Sequence, residues 1–209
     1  MLDEFNTLKE EKYEGVITAK KSEFIAHLYK VSSQEEVDKA IGEVRKKYSD
    51  ATHNVPAYRF YDIETNSVIE RCSDDGEPSS TSGKPMLDIL KFRDLTNILI
   101  VVTRYFGGTL LGTGGLVKAY SDALKEVLDK AEFITVKNMM HFNITVTYDD
   151  LSMMKMHLEN TGCIIENIKY GIDVSFDIYI DNSNEDKLNN LLSQFYDSMI
   201  VKKLKNTYK

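Results

Sequence analysis

Residues 98–116, ILIVVTRYFGGTLLGTGGL, constrain the fold of this chain more than any other stretch. A dense run of Ile, Leu and Val breaks off at Arg104-Tyr105-Phe106, and five glycines then fall within nine residues. An apolar helical spacing opens directly behind them, with Leu116, Tyr120, Ala123, Leu124 and Val127 on one side. The segment therefore predicts a buried strand over 98–103, a glycine-rich loop and a helix over 115–130. Each glycine loses more backbone freedom on folding than any other residue, so a loop this rich in them points to demanding backbone geometry or close approach.

Around this unit the first part of the chain predicts an α+β domain. Residues 12–19 and 22–29 alternate as strands, and 34–48 form an amphipathic helix capped by Ser32 or Ser33. Residues 55–62 and 67–72 make two strands about the polar turn Glu64-Thr65-Asn66. The loop SDDGEPSSTSGK, residues 73–84, leads into a short helix from Pro85 to about residue 92. The second part is more regular. Strand 138–148, helix 149–161, strands 163–170 and 173–181, helix 183–196 and strand 199–204 follow in order. That β-α-β-β-α-β succession is the ferredoxin-like plait. The expected domains are 1–133 and 134–209, joined without a Pro/Gly linker.

Composition excludes several classes. With 42% apolar and 28% charged residues the 209-residue chain can build a core. A net charge of −7 argues against coating nucleic acid by bulk electrostatics. Residues 1–133 carry 18 basic against 23 acidic side chains and 134–209 carry 8 against 10, so neither part is basic. Lysines 202, 203, 205 and 209 crowd the end and read as a solvated tail. Cys72 and Cys163 lie far apart, which suits a reduced, cytoplasmic protein. The acidic start resembles no secretory signal, and no apolar run is long enough to span a membrane.

Familiar motifs fail on inspection. Gly107 and Gly112 have P-loop spacing, but Thr113-Gly114 follow where Lys and Ser/Thr are needed, and Val117 stands where a dinucleotide fingerprint needs its third glycine. His27, His53, His141 and His157 never pair at metal-ligand spacing. Asp74-Asp75-Gly76-Glu77 looks like a piece of a calcium loop but lacks its register. No metal and no cofactor are expected.

One constellation survives. Thr109, Thr113, Gly114 and Gly115 precede a helix whose first exposed cation is Lys118; Ser79, Ser80, Thr81, Ser82, Gly83 and Lys84 precede another. Helix starts carry unsatisfied N–H groups and a positive dipole end. With Arg104, Tyr105, Phe106, Gly107, Gly108 and Gly112 between them, two readings stand. Both starts face a shared external anion, or Asp74, Asp75 or Glu77 fills them from within.

The same residues resemble the IMPACT/YigZ family. The likeness runs through Ser73-Asp74-Asp75-Gly76-Glu77-Pro78, Gly83, Met86-Leu87, Leu90, Leu95, Val101-Val102 and Arg104-Tyr105-Phe106-Gly107-Gly108. It continues through Leu111, Gly112 and Gly114-Gly115-Leu116-Val117-Lys118-Ala119-Tyr120. It departs at Ser79-Ser80-Thr81-Ser82, where many relatives carry Gly, Thr and Ala. The resemblance implies a first domain similar to a ribosomal-protein and elongation-factor βαβ fold with a left-handed crossover. A ferredoxin-like second domain is implied as well. It further implies a non-enzymatic, translation-associated regulator that binds RNA, the ribosome or a translation-related protein. The alternative is a hydrolase on a small phosphorylated or peptide substrate, with Asp74, Asp75 or Glu77 as acid or base. A hydrolase would need a closed pocket and a carboxylate of raised pKa.

Overall fold

A computed structural model describes residues 2–195 and 199–209. It divides into two compact units, residues 5–135 and residues 136–209 with 2–4.

The first unit is built on an antiparallel sheet. Its strands are β2 (Lys12–Ala19), β3 (Ser22–Lys30), β4 (His53–Asp62), β5 (Ser67–Cys72) and β6 (Ile98–Tyr105). Their order is β2-β3-β6-β4-β5, so β6 is central. Helix α1 (Gln34–Lys47) covers one face, where Val37, Ala40 and Val44 pack with Tyr58, Phe60, Leu99 and Val101. Helices α2 (Gly83–Phe92) and α3 (Thr113–Leu128) share the other face's core, with Met86, Leu90, Tyr120 and Leu124 against Ile98, Ile100 and Val102. Both faces being covered explains why β6 reads as an unbroken apolar run rather than an alternating one. Alternation still sorts its side chains, and it places Arg104 on the same side as Ile98, Ile100 and Val102, toward α2 and α3.

The capping of α1 follows its sequence. The Ser33 hydroxyl accepts from Glu36 N–H at 3.2 Å, with Glu35 and Glu36 in the first turn. Two helix starts differ from expectation: α2 begins at Gly83 rather than Pro85, and α3 at Thr113 rather than residue 115. In each the glycines enter the first turn instead of ending the loop. A short strand β1 (Glu4–Leu8) was not anticipated; its Leu8 lies in the core shared by α2 and α3.

The second unit is the plait. Strand β7 (Phe133–Val146), α4 (Tyr148–Asn160), β8 (Ile164–Tyr170), β9 (Val174–Asp181), α5 (Glu185–Gln194) and β10 (Met199–Lys203) follow in that order. The strands lie β8-β9-β7-β10, all antiparallel, and β11 (Thr207–Tyr208) also pairs with β7. Met154, Leu158, Leu188 and Leu191 of the helices form its core with Phe142, Ile144, Phe176 and Ile178. Residue 196, expected at the end of the second helix, lies outside the described residues. Among the described residues no helix is long and apolar enough to cross a membrane.

Candidate functional site

Arg104, the penultimate residue of β6, turns into the core rather than out to solvent. Its side chain is 6% exposed and that of Glu77 3%, and Arg104 Nη1 donates to Glu77 Oε1 at 2.6 Å. Tyr120 of α3 donates its hydroxyl to the same carboxylate oxygen at 2.7 Å. Burial first, then the Glu77 carboxylate, pushes the Tyr120 phenol above its usual range, so it is a lasting donor here. The guanidinium lies 5.5 Å from the Phe24 ring centre and 5.6 Å from that of Phe106, an arrangement that suits cation–π attraction. Its Nε has no hydrogen-bond partner among the described residues. His53 contacts Asp75 O at 2.7 Å through Nδ1, which must be the donor because a carbonyl only accepts; its Nε2 lies 3.8 Å from Glu77 Oε2.

The start of α2 is filled from within. Asp74 accepts from Ser80 N–H at 2.7 Å, Ser82 N–H at 3.1 Å, Gly83 N–H at 3.0 Å and the Ser82 hydroxyl at 2.6 Å. The idea of two open helix starts facing one patch is thereby corrected for α2: the nearest carboxylate in sequence satisfies its orphan donors. Burial alone raises the Asp74 pKa, yet the hydroxyl and three N–H groups outweigh it and hold the carboxyl below its ordinary range. A depressed folded value contributes stability above the unfolded pKa of about 3.9 and loses it as pH falls through the folded one. Asp74→Ala is expected to lower unfolding free energy at neutral pH by about 1–3 kcal/mol and to shrink that acid dependence below about pH 4. Urea midpoints at neutral and acid pH check this; equal losses at both would contradict it.

The remaining carboxylates are also engaged. Asp75 accepts from Arg45 Nη2 at 2.9 Å and Asn54 N–H at 2.7 Å. Thr81 donates to Pro78 O at 2.7 Å. Lys84 and Lys118 are exposed, but each meets an aspartate one turn on, Asp88 and Asp122. Tyr105 donates to Asp50 at 2.8 Å. Arg104, Lys84 and Lys118, the cations placed by sequence at the two helix starts, thus all have acidic partners within the chain.

The start of α3 is different. Gly112 precedes it at φ +75°, and among the described residues no side-chain cap bond is made there. The first intrahelical bond is Leu116 N–H to Gly112 O at 2.9 Å, so the N–H groups of Thr113, Gly114 and Gly115 come before the ladder. Beside this start lies a cavity of about 400 Å³. Arg104, Glu77 and His53 contribute to its lining with Pro78, Leu111, Leu116 and the exposed Phe106 (45%) and Leu110 (81%). Gly76 and Gly108 lie on exposed loop backbone at φ +87° and +79°. Sequence reasoning picked out the glycines and Arg104 but not Thr52, His53, Leu110 or Ser22 as neighbours. Tyr120 carried one usable signal, a phenol in an apolar helical stripe that needs a buried acceptor.

Comparison with known proteins covers both units. A family model of the Impact N-terminal domain matches residues 20–128, and one described as Domain of unknown function (DUF1949) matches 144–197. The IMPACT family member YvyE of Bacillus subtilis is 37% identical over 195 residues, 93% of this chain and 86% of that protein. The IMPACT family member YigZ of Escherichia coli is 42% identical over 151 residues, 72% of this chain and 74% of that protein. Protein IMPACT-B of Xenopus tropicalis is 41% identical over 103 residues, 48% of this chain and 32% of that longer protein. A solved crystal structure of a hypothetical protein aligns over 98% of this chain and 99% of its own, with TM-score 0.66 and 26% identity.

Proposed function

This chain belongs to the IMPACT family, and on that premise we propose that it is a cytoplasmic, non-enzymatic translation-associated regulator that docks a protein partner at the glycine-rich loop. Family membership supports the link to translation. The choice of a protein over RNA rests on one observation: Phe106 and Leu110 are large apolar side chains exposed in the cavity lining, while Arg104, Lys84 and Lys118 each meet a carboxylate. Binding through phosphates needs free positive charge that releases counterions. An apolar rim beside a cavity instead suits an apolar anchor from a partner protein. The carboxylates offered for hydrolysis, Asp74, Asp75 and Glu77, are held in caps and ion pairs, which favours binding over catalysis.

The test is affinity capture of translation components by the full chain and by Leu110→Asp and Lys118→Ala. Leu110 is exposed, so its replacement should change stability by no more than about 0.5 kcal/mol. Leu110→Asp is expected to lose the partner at least about tenfold, the weight of one well-placed apolar anchor. Lys118→Ala is expected to retain it. Recovery of the same translation components by all three chains, or loss on Lys118→Ala with retention on Leu110→Asp, would remove this rim from the account.

A further inference from the structure

The cavity beside that rim holds a polar feature that an apolar anchor does not use. Its volume of about 400 Å³ falls in the range of small-ligand sites, about 300–1,000 Å³. Pro78, Phe106, Leu110, Leu111 and Leu116 give it apolar walls. Glu77 and His53 line it as well, and each has one atom engaged and one left over. Glu77 Oε1 accepts from Arg104 at 2.6 Å and from Tyr120 at 2.7 Å, which leaves Oε2 on a side chain only 3% exposed. His53 Nδ1 gives its hydrogen to Asp75 O at 2.7 Å, so in the neutral ring Nε2 carries a lone pair. These two left-over atoms lie 3.8 Å apart, beyond hydrogen-bond reach. Both are acceptors, and neither can satisfy the other. Neither is sealed off as Arg104 Nε is, so a molecule in the cavity can reach both. A carboxylate oxygen left without a donor in such a place is costly, and an incoming donor relieves that cost.

Facing acceptors select a donor. One nitrogen about 2.9 Å from each atom spans the 3.8 Å gap, and with two hydrogens it serves both. Charge decides the rest. Arg104 already balances the Glu77 carboxylate, so an ammonium group would set a second buried cation beside the first. The donor is therefore neutral, and the walls require an apolar body. We infer that the cavity binds a small neutral molecule with an apolar body and an NH2 donor at one end, as in a primary amide. Its nitrogen lies between Glu77 Oε2 and His53 Nε2, and its hydrocarbon lies against Phe106, Leu110, Leu111 and Leu116. A free amide and the glutamine side chain of a docked protein carry the same group, and the test separates them. This site goes beyond docking at the rim and does not depend on it.

The probe is isocaproamide, titrated into the full chain at about pH 8, above the ordinary imidazole pKa. Calorimetry and the ring nitrogen resonances of His53 follow it. Methyl isoamyl ketone, in which a methyl group replaces the NH2, isoamylamine as the charged donor and a capped tripeptide with a central glutamine are the other arms. The amide is expected to saturate the site and to shift the Nε2 resonance. The ketone should bind about tenfold more weakly, the worth of about one net hydrogen bond, and leave that resonance in place. The charged amine should also bind more weakly than the amide. His53→Asn keeps a side-chain N–H for Asp75 O but lacks Nε2. It should weaken the amide by about tenfold and leave the ketone unchanged. Equal binding of amide and ketone, tighter binding of the charged amine, or an amide indifferent to His53→Asn overturns the proposal. So does binding of the tripeptide with none of the free amide, a result that would assign the cavity to the docked partner. The amide and ketone comparison on the unaltered chain decides the matter even if His53→Asn fails to fold. Failure of partner capture at the rim leaves the isocaproamide result standing.

Discussion

Glu77→Leu is expected to lower the unfolding free energy by about 3–5 kcal/mol, the cost of leaving one partner of a buried ion pair uncompensated. The substitution strips Arg104 of its 2.6 Å acceptor and Tyr120 of the oxygen its phenol donates to at 2.7 Å. Both groups are enclosed between β6 and α3, so water cannot readily replace the carboxylate. Arg104→Met should cost a comparable amount, for then Glu77 is the orphan. The double variant Arg104→Met, Glu77→Leu should recover a large share of the loss, because no charge is left behind and the apolar side chains can meet Phe24 and Tyr120. Urea unfolding of the four chains closes the cycle. Single losses below about 1 kcal/mol, or losses that simply add in the double variant, would mean the pair is solvated and not part of the core. The same cycle explains why Arg104→Ala makes a poor probe of binding: it would perturb the sheet before it perturbed any partner.

The glycines of the loop should divide sharply. Gly107→Ala would place its Cβ 2.0 Å from Lys21 O and 2.6 Å from Ser22 N, both rigid backbone atoms at the β2–β3 turn. Real Cβ atoms do not approach so closely, so the loop must lift away from the turn. That would also disturb the 3.2 Å bond from Gly107 N–H to the Ser22 hydroxyl. The expected cost is about 3 kcal/mol, at the upper end for overpacking, since no flexible side chain can give way. Gly114→Ala meets nothing within 4 Å and lies in the first turn of α3, where replacing glycine by alanine gains up to about 1 kcal/mol. Opposite signs for two glycines seven residues apart are the test, read as thermal or urea midpoints. A neutral Gly107→Ala would show that the loop does not press on the β2–β3 turn.

The legible parts of the fold were those where local periodicity and tertiary burial agree. The plait could be read because VSFDIYI alternates, Leu188 and Leu191 recur at helical spacing, and Gly162 stops α4 at φ +82°. Strand β1 escaped notice because five residues of mixed polarity carry no periodicity, and its Leu8 is buried only by packing on α2 and α3. The start of α2 slipped by two residues because glycine preference for loops was outweighed by capping: Asp74 draws Gly83 into the helix.

What the sequence determined by itself is the α+β architecture, the strand-loop-helix unit at residues 98–128 and the family likeness. All three rest on patterns of neighbouring side chains. Only the tertiary structure decided how the two helix starts differ, because Asp74 reaches α2 across nine residues of loop while among the described residues no side-chain cap bond is made at α3. It also decided that Arg104 is a buried structural cation rather than a surface one. Glu77 lies 27 residues away along the chain, and no local pattern records a partner that the fold alone brings within 2.6 Å.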